Sequence, residues 1–247
     1  MAHMSNDIQL GAWVSVPHPF VVELLSHFPF NWICMDMEHS PTSREDLNTS
    51  VALIQKSGRK AFARIAENQM TEAKFPLDIG VDGIIVPMVN SAEEARRAVD
   101  NCFYPPVGKR GIGLARAHTY GFEFDKYLEK SKELTLIVQI EHINAVKEIK
   151  AILDIPQVAG VFIGPYDMSG SMGITGQLEH PDLLDAVKKT AEATKAMGKI
   201  LGAHVMDPDA AKVEQYAEMG YDFIGFSTDM LLLGHKIKSE FEKMGRI

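Results

Sequence analysis

Hydrophobic residues fall into short continuous runs along the chain, and each run is followed by a longer stretch with helical spacing of its apolar positions. Most of the runs are apolar throughout rather than alternating, which is typical of strands buried on both faces of a parallel sheet. Eight strands are predicted, at Gly11–Val16, Asn31–Met37, Lys60–Ile65, Gly83–Val89, Leu134–Glu141, Val158–Gly164, Ile200–Val205 and Phe223–Ser227.

A predicted helix follows each strand. The eight helices are Pro19–Phe28, Ser43–Ser57, Met70–Ile79, Ala92–Cys102, Ala145–Leu153, Pro181–Met197, Asp209–Met219 and Met230–Lys243. Four carry glycine at the position where a left-handed residue ends a helix, namely Gly58, Gly80, Gly198 and Gly220. Ser91 and the Asp207-Pro208-Asp209 segment are predicted helix N-caps.

Eight strand–helix units predict an α/β fold, the (β/α)₈ TIM barrel. An open doubly wound sheet is the alternative, but the glycine-rich turn it would carry after its first strand is not found after Val16. The length of 247 residues suits one domain. We assign 10–247 to the barrel and 1–9 to an N-terminal extension, with 1–4 interpreted as a cloning remnant. The segment Tyr104–Lys126 lies outside the alternation of strands and helices. It is predicted to be irregular, with a functional or interfacial role.

Composition narrows the class of partner. Lys+Arg 25 against Asp+Glu 33 gives a net charge of −8, which argues against nucleic acid or an anionic membrane as the main partner. A small anionic ligand is still allowed, because one arginine can dominate a pocket. No apolar run approaches the length of a membrane span, and no secretory signal is expected at the start. Cys34 and Cys102 are predicted to be buried free thiols of a cytoplasmic protein.

Polar residues follow several of the predicted strands directly. In a barrel these strand ends meet at one face, where function resides. The residues concerned are Asp36, Glu38, His39, Arg64, Gln139, Glu141, His142, Tyr166, Asp167, His204 and Asp229. A pocket containing carboxylates, histidine and arginine is therefore predicted at this face.

Glu141 and Asp167 follow adjacent strands, so their carboxylates should converge and repel each other unless protons or a cation intervene. A hard divalent cation is held by such carboxylates together with waters. A helix N-cap or an ion pair at the barrel mouth is the alternative for either residue.

Arg64 and His39 each have two interpretations. The Arg64 guanidinium lies in an apolar run and needs a partner, either a ligand carboxylate or enolate or a structural ion pair with Asp36, Glu38 or Asp78. His39 follows an acidic segment and is suited to proton transfer, or it merely caps a loop. His118, His142 and His204 are equally available on this argument.

Eight segments together resemble one family, the metal-dependent class II pyruvate aldolases of the HpcH/HpaI group, typified by 4-hydroxy-2-oxoheptanedioate aldolase. The resemblance spans roughly residues 10–235. The segments are Gly11-Ala12-Trp13, 36–41 (DMEHSP), Ala63-Arg64, 77–80 (LDIG), 86–89 (VPMV), 104–113 (YPP through KRGIG), 138–141 (VQIE) and 160–169 (GVFIGPYDMS).

The resemblance implies a role for several residues. His39 matches the catalytic base, Asp78 the acid that pairs with it, and Arg64 the group that stabilises the enolate. Glu141 and Asp167 match the ligands of a divalent ion, Mg²⁺, Mn²⁺ or Co²⁺. Substrate contacts are implied for Gln139 and for the backbone of Tyr166 and Asp167. Trp13 is interpreted as a pocket wall, with packing at the bottom of the barrel as its alternative.

The implied reaction is reversible aldol cleavage of a 4-hydroxy-2-oxo acid to pyruvate or hydroxypyruvate and an aldehyde, in 2-oxo acid catabolism. The family fold is a TIM barrel of the phosphoenolpyruvate/pyruvate type, assembled as a hexamer (a trimer of dimers) with the last helix exchanged between subunits. Lys60 and Lys199 begin strands, at the wrong face for Schiff-base chemistry. An acyl-CoA lyase of the same superfamily and a non-catalytic keto-acid and metal-binding barrel are the alternatives.

Two residues depart from the family pattern. Tyr166 stands where a small residue is usual, and His204 where an apolar residue is expected. We therefore expect His204 to contact the aldehyde half of the substrate and to influence substrate choice.

Overall fold

The computed structural model describes residues 8–246 and contains eight parallel strands closed into a barrel in the order of the chain. The ring closes because β1 pairs in parallel with both β2 and β8, which confirms the predicted TIM barrel. The interpretation of residues 1–4 lies outside the described residues. The strands are β1 (Gln9–Val14), β2 (Trp32–Asp36), β3 (Lys60–Arg64), β4 (Gly83–Val86), β5 (Thr135–Ile140), β6 (Val158–Ile163), β7 (Ile200–Val205) and β8 (Phe223–Thr228).

Ten α-helices surround the strands in the described part of the chain. They are α1 (Pro19–Ser26), α2 (Arg44–Lys56), α3 (Met70–Ile79), α4 (Ala92–Cys102), α5 (Phe124–Lys130), α6 (Ile143–Leu153), α7 (Pro165–Ser171), α8 (Pro181–Ala196), α9 (Ala210–Glu218) and α10 (Asp229–Lys243). Two of them, α5 and α7, are not among the eight predicted helices. The short helix α7 follows β6 directly and carries Tyr166 and Asp167 into the mouth of the barrel.

Local signals fix most of the helix ends. Gly80 is left-handed at φ 91° and ends α3, as predicted. Ser91 accepts a hydrogen bond from the Glu94 amide and caps α4, also as predicted. In the Asp207-Pro208-Asp209 segment it is Asp209 that caps α9, by accepting from the Ala211 amide. Asp207 instead pairs with Lys212 at 2.6 Å.

Aromatic side chains fill the inside of the barrel. Trp32 and Phe223 stack face to face with ring centroids 4.1 Å apart, and both are buried. Glycines lie against the aromatic rings inside the barrel. A Cβ at Gly11 would overlap Trp32, and a Cβ at Gly83 would overlap the buried ring of Phe62. This alternation of small and large residues closes the barrel interior and leaves space for a ligand at its ends.

The segment predicted to be irregular, Tyr104–Lys126, covers the amino-terminal end of the strands. Arg116 anchors it by donating from Nη1 to the Ile79 carbonyl at 2.5 Å. Beneath it lies a cavity of about 550 Å³ beside the starts of β3 and β5. The segment is mostly non-helical, as predicted, although α5 begins within it at Phe124.

Two further expectations concern the cysteines and the membrane. Cys34 and Cys102 are both buried and free, as predicted. None of the described helices combines the length and the apolar character that crossing a bilayer requires.

Candidate active site

A cavity of about 330 Å³ opens at the carboxyl ends of the strands. Its walls bring together six residues from five strands or the turns that follow them: Trp13, Arg64, Gln139, Glu141, Phe162 and His204. Asp167 and Tyr166 line its rim from α7. Seven of the nine predicted site residues thus line one cavity at the predicted face, whereas His39 and Asp78 do not line it.

Two carboxylates from β2 and the turn after it hold the Arg64 guanidinium. Nε donates to Asp36 Oδ1 at 3.0 Å and Nη2 to Asp36 Oδ2 at 2.6 Å, while Nη1 lies 3.0 Å from Glu38 Oε2. Burial by itself raises the pKa of Asp36, but the bonds and charge of Arg64 outweigh it and hold that pKa below its usual range. The structural ion pair considered for Arg64 is therefore present, and it lies in the pocket wall.

Trp13 completes the surroundings of Arg64. The guanidinium carbon lies 5.0 Å from the centre of the indole, within the range of a cation–π contact. Trp13 is 2% exposed and lines the cavity, so it lies in the pocket wall rather than at the bottom of the barrel.

Glu141 is buried at the end of β5, and both of its oxygens accept a hydrogen bond. Oε1 accepts from the Met88 amide at 2.7 Å and Oε2 from Gln139 Nε2 at 2.8 Å. Burial, helped by the nearby charges of Glu38 and Asp167, raises the pKa of Glu141 to about 7. A positive charge placed nearby would stabilise the ionised form of this carboxyl group.

The donor set suits a hard cation held partly by water and substrate. Within residues 8–246, no three His, Cys, Asp or Glu side chains converge on one point. Glu141 and Asp167 nevertheless face the same cavity, and the buried Gln139 Oε1 beside them has no hydrogen-bond partner. Mg²⁺ typically binds through one or two carboxylates and completes its shell with waters and ligand oxygens. The residues present fit such an ion.

His39 lies in the turn that follows β2, at the carboxyl end of the barrel, and is not among the residues that line the cavity. Its side chain is 69% exposed, and its Nε2 lies 3.8 Å from Glu38 Oε2. The His39 backbone amide donates to Asp36 Oδ1 at 3.3 Å, so the carboxylate that holds Arg64 also anchors the turn carrying His39. The histidine is accessible to a substrate that enters from solvent.

Asp78 is the predicted site residue that the chain folds away from the pocket. It lies near the end of α3, and a helix that follows a barrel strand returns to the amino-terminal end. There Asp78 Oδ1 accepts from Nη2 of the buried Arg110 at 2.8 Å. Among the described residues of one chain, Asp78 and His39 form no ion pair, so the expected pairing is not found within the chain.

Two other candidate histidines and the two lysines at the starts of strands lie at one end of the barrel or the other. His142 caps α6 by accepting from the Asn144 amide, whereas His118 is buried within the segment that covers the amino-terminal end. Lys60 begins β3, and Lys199 precedes β7 with Nζ donating to the Ile155 carbonyl at 2.8 Å, so both lie at the face opposite the pocket.

Sequence reasoning missed one contributor to the site, the Met88 amide, and left the partner of Arg64 open. Asp36 and Glu38 were among its three candidate partners, and the pairing of β2 with β3 decides that both of them hold Arg64. Met88 contributes a backbone amide from a left-handed conformation at φ 51°. A backbone group leaves no signature in the side-chain pattern, so no signal in the sequence pointed to it.

The chain is similar to known proteins over most of its length. The profile of the family described as HpcH/HpaI aldolase/citrate lyase matches residues 9–235. A 4-hydroxy-2-oxo-heptane-1,7-dioate aldolase of Shigella boydii is 34% identical over 96% of this chain and 90% of its own. A hydroxypyruvate/pyruvate aldolase of Roseobacter denitrificans is 33% identical over 95% of this chain and 91% of its own.

A solved structure supports the same likeness. An HpcH/HpaI aldolase/citrate lyase family protein from Burkholderia cenocepacia superposes with a TM-score of 0.91 at 28% identity. The match covers 98% of this chain and 96% of that one, so the barrel and the elements around it correspond over nearly their whole length.

Proposed function

The chain belongs to the HpcH/HpaI aldolase/citrate lyase family, and we propose that it is a carbon–carbon lyase that reversibly cleaves a 4-hydroxy-2-oxo acid. The products are pyruvate or hydroxypyruvate and an aldehyde. The observation that carries the proposal is the meeting of Arg64, Gln139, Glu141 and Asp167 around one cavity, with His39 beside Glu38, a carboxylate that holds Arg64.

Glu141 and Asp167 would hold a divalent ion, Mg²⁺, Mn²⁺ or Co²⁺. When bound, the ion would supply Lewis acidity toward the 2-oxo and carboxylate oxygens of the substrate. Gln139 fixes Glu141 through its Nε2 and presents its unpartnered Oε1 beside the same carboxylate. The first-turn amides of α7, at Tyr166 and Asp167, are proposed to receive the substrate carboxylate, since such amides have no partner within the helix.

Arg64 is proposed to stabilise the enolate oxygen. A guanidinium has five N–H donors, and Asp36 and Glu38 engage three of them. The remaining donors belong to a group that is already oriented and partly desolvated, so little reorganisation is needed as negative charge develops.

His39 is proposed to take the proton from the C4 hydroxyl group. The C3–C4 bond then breaks, its electron pair moves toward the C2 carbonyl, and the C4 oxygen becomes the aldehyde oxygen. The enolate that is left accepts a proton at C3 to give the 2-oxo acid. The resemblance assigns Asp78 as the acid that pairs with His39, and that role stays a prediction, because within one chain Asp78 is bound to Arg110.

We propose that the protein works as a homo-oligomer, a hexamer in which α10 is exchanged between subunits. None of the α10 residues is buried within the single chain. One stripe of the helix is apolar and exposed, formed by Met230, Leu233, Ile237, Phe241 and Met244. A second apolar stripe, Phe20, Leu24 and Phe28, is exposed on α1 and its end. Stripes of this kind are typical of helices that pack against another subunit.

The proposal is tested with an assay panel for metal-dependent aldol chemistry. The protein is treated with a chelator, dialysed, and supplied with Mg²⁺, Mn²⁺ or Co²⁺. Pyruvate or hydroxypyruvate is then offered with several aldehydes, and the reverse cleavage is followed by pyruvate release. Activity should disappear with the chelator and return with a divalent ion. Cleavage that is indifferent to the chelator would contradict the metal assignment. Binding of pyruvate without turnover of any donor would contradict the proposed catalytic activity.

A further inference from the structure

His204 stands in the wall of the pocket without a part in the scheme above. It lies on β7, and its imidazole ring centre is 4.9 Å from that of Trp13 and 6.4 Å from that of Phe162. The ring is partly buried and lines the same cavity as Arg64 and Glu141. It therefore borders the space that a substrate in contact with Arg64 would occupy.

The hydrogen bond to Ser227 settles which ring nitrogen carries the proton. His204 Nε2 lies 2.9 Å from the Ser227 carbonyl oxygen, and a carbonyl oxygen can only accept. Nε2 must therefore be the N–H, which leaves Nδ1 with a lone pair in the neutral ring. Burial, together with the charge of Arg64, lowers the pKa of His204, so the neutral form predominates at pH 7.

A local irregularity in β8 brings the Ser227 carbonyl to this position. In the pairing of β1 with β8, Gly11 lies opposite Gly225 but Trp13 lies opposite Thr228, so β8 contains one extra residue. Ser227 is fully buried and left-handed at φ 57°, a conformation that is strained in a residue other than glycine. Bulges of this kind commonly redirect groups next to active sites.

Gly225 determines which edge of the ring faces the neighbouring strand. It pairs directly with His204, and a Cβ at Gly225 would lie 3.1 Å from His204 Cδ2 and 3.6 Å from Nε2. The Cδ2–Nε2 edge is thus packed against β8, and Nδ1 lies on the opposite edge. Among the described residues, no hydrogen bond reaches Nδ1.

We propose that His204 Nδ1 accepts a hydrogen bond from a hydroxyl group of the substrate, which makes His204 a specificity-determining residue for hydroxylated substrates. An unprotonated ring nitrogen can only accept a hydrogen bond, so its partner in the substrate must be a donor. Carboxylate, carbonyl and enolate oxygens cannot donate, so a hydroxyl group is the one part of a hydroxylated keto acid or aldehyde that satisfies it. The inference rests on the proposed aldolase function and deepens it.

The hydroxyl group can belong to either half of the reaction, and paired substrates separate the two sources. Hydroxypyruvate is compared with pyruvate as donor, with one fixed aldehyde. Glycolaldehyde is compared with acetaldehyde as acceptor, with pyruvate as donor. Each pair differs by one hydroxyl group, and the ratio of kcat/KM within the pair is the selectivity of the enzyme for that group.

Two substitutions at His204 test whether this selectivity depends on a hydrogen-bond acceptor at the position of Nδ1. His204→Leu removes the acceptor at similar size, whereas His204→Asn keeps an oxygen near the position of Nδ1. The selectivity for one pair should fall about tenfold in His204→Leu, as a lost hydrogen bond at a partly buried site predicts, and recover largely in His204→Asn. His180→Asn, which retains the N-cap of α8 at a residue that does not line the pocket, should leave both ratios unchanged.

Equal losses on both members of each pair would overturn the inference, because they would show that His204 only shapes the pocket. Circular dichroism checks that each variant is folded. A binding measurement separates this inference from the proposed function. Tryptophan fluorescence, with Trp13 beside His204, gives the Kd of hydroxypyruvate and of pyruvate in the presence of Mg²⁺, and likewise the Kd of glycolaldehyde and of acetaldehyde. If the wild type turned nothing over, the aldolase proposal would fail, and the Kd ratio in the two variants would still decide the role of His204.

Discussion

Arg64 and Asp36 lie directly opposite each other in the pairing of β3 with β2, and their side chains form a two-pronged ion pair at the carboxyl end of the barrel. The prongs measure 3.0 Å from Nε to Oδ1 and 2.6 Å from Nη2 to Oδ2. Because both residues are the last of their strands, the sheet itself sets the direction of the guanidinium before any substrate arrives. The proposed enolate stabilisation rests on this preorganisation.

Arg64→Lys should therefore impair catalysis although the charge is kept. An ammonium group cannot reproduce the fork that Asp36 and Glu38 hold, so the enolate would meet a misplaced donor. We expect kcat/KM to fall about 100-fold, measured by pyruvate release under saturating metal. Arg44→Lys is the control, since Arg44 is a surface residue on α2. Near wild-type kcat/KM in Arg64→Lys would show that any cation suffices.

Asp36→Asn should change how stability depends on pH. The pKa of Asp36 is lowered in the folded protein, because Arg64 outweighs the effect of burial. The carboxylate thus stabilises the fold above the ordinary aspartate pKa of about 3.9, and this contribution is lost as the pH falls through the lower folded-state pKa. Urea unfolding should show the variant less stable than wild type at pH 7, with the difference shrinking toward pH 3.

A matched control for that experiment is Asp185→Asn, on the exposed face of α8. Its unfolding free energy should stay close to that of the wild type at both pH values. An Asp36→Asn deficit of the same size at pH 3 and pH 7 would mean that the loss arises from packing rather than from the ionised pair.

Glu141→Gln and Asp167→Asn should each remove most of the activity that a divalent ion restores. Either change keeps the shape of the side chain and removes a negative oxygen ligand, so we expect a loss of about 100-fold or more at a fixed metal concentration. Titration calorimetry with Mn²⁺ should show weaker binding in both variants. Asp209→Asn, which keeps the N-cap of α9, should bind metal as the wild type does.

His39→Asn should slow turnover while substrate binding is retained. The side chain is exposed at the carboxyl end of the barrel and holds no buried structure together, so the fold should tolerate the change. Loss of a general base costs typically 10²–10⁴-fold, and we expect a fall in kcat of roughly that size with little change in KM. The control His18→Asn retains the N-cap of α1. An unchanged kcat would assign the proton transfer to another group.

A double substitution on α10, Leu233→Glu with Phe241→Glu, should break up the oligomer. Both side chains are exposed in the single chain and lie on the apolar stripe of the helix. Burying a carboxylate in an apolar interface is strongly unfavourable, so light scattering coupled to gel filtration should report a smaller particle than for the wild type. Lys236→Gln, off the stripe, should leave the size unchanged. A wild-type protein that runs as a monomer would contradict the proposed assembly.

The residues by themselves determined the architecture of this protein. Continuous apolar runs, each followed by a stretch with helical spacing, identified eight strand–helix units. Polar residues at the ends of several strands placed Arg64, Glu141 and Asp167 at one face. These properties are readable because they depend on neighbours within a few residues. The pocket could be predicted in the same way, since parallel strands in a barrel end at the same side.

The partners of those residues were decided only by the tertiary structure. The grip of Asp36 on Arg64 depends on strand register, and the return of α3 to the opposite end takes Asp78 away from His39 and into contact with Arg110. The Met88 amide that binds Glu141 and the Ser227 carbonyl that binds His204 both come from left-handed backbone. Every residue except proline carries the same amide and carbonyl, so their direction is set by the closure of the barrel and not by residue type.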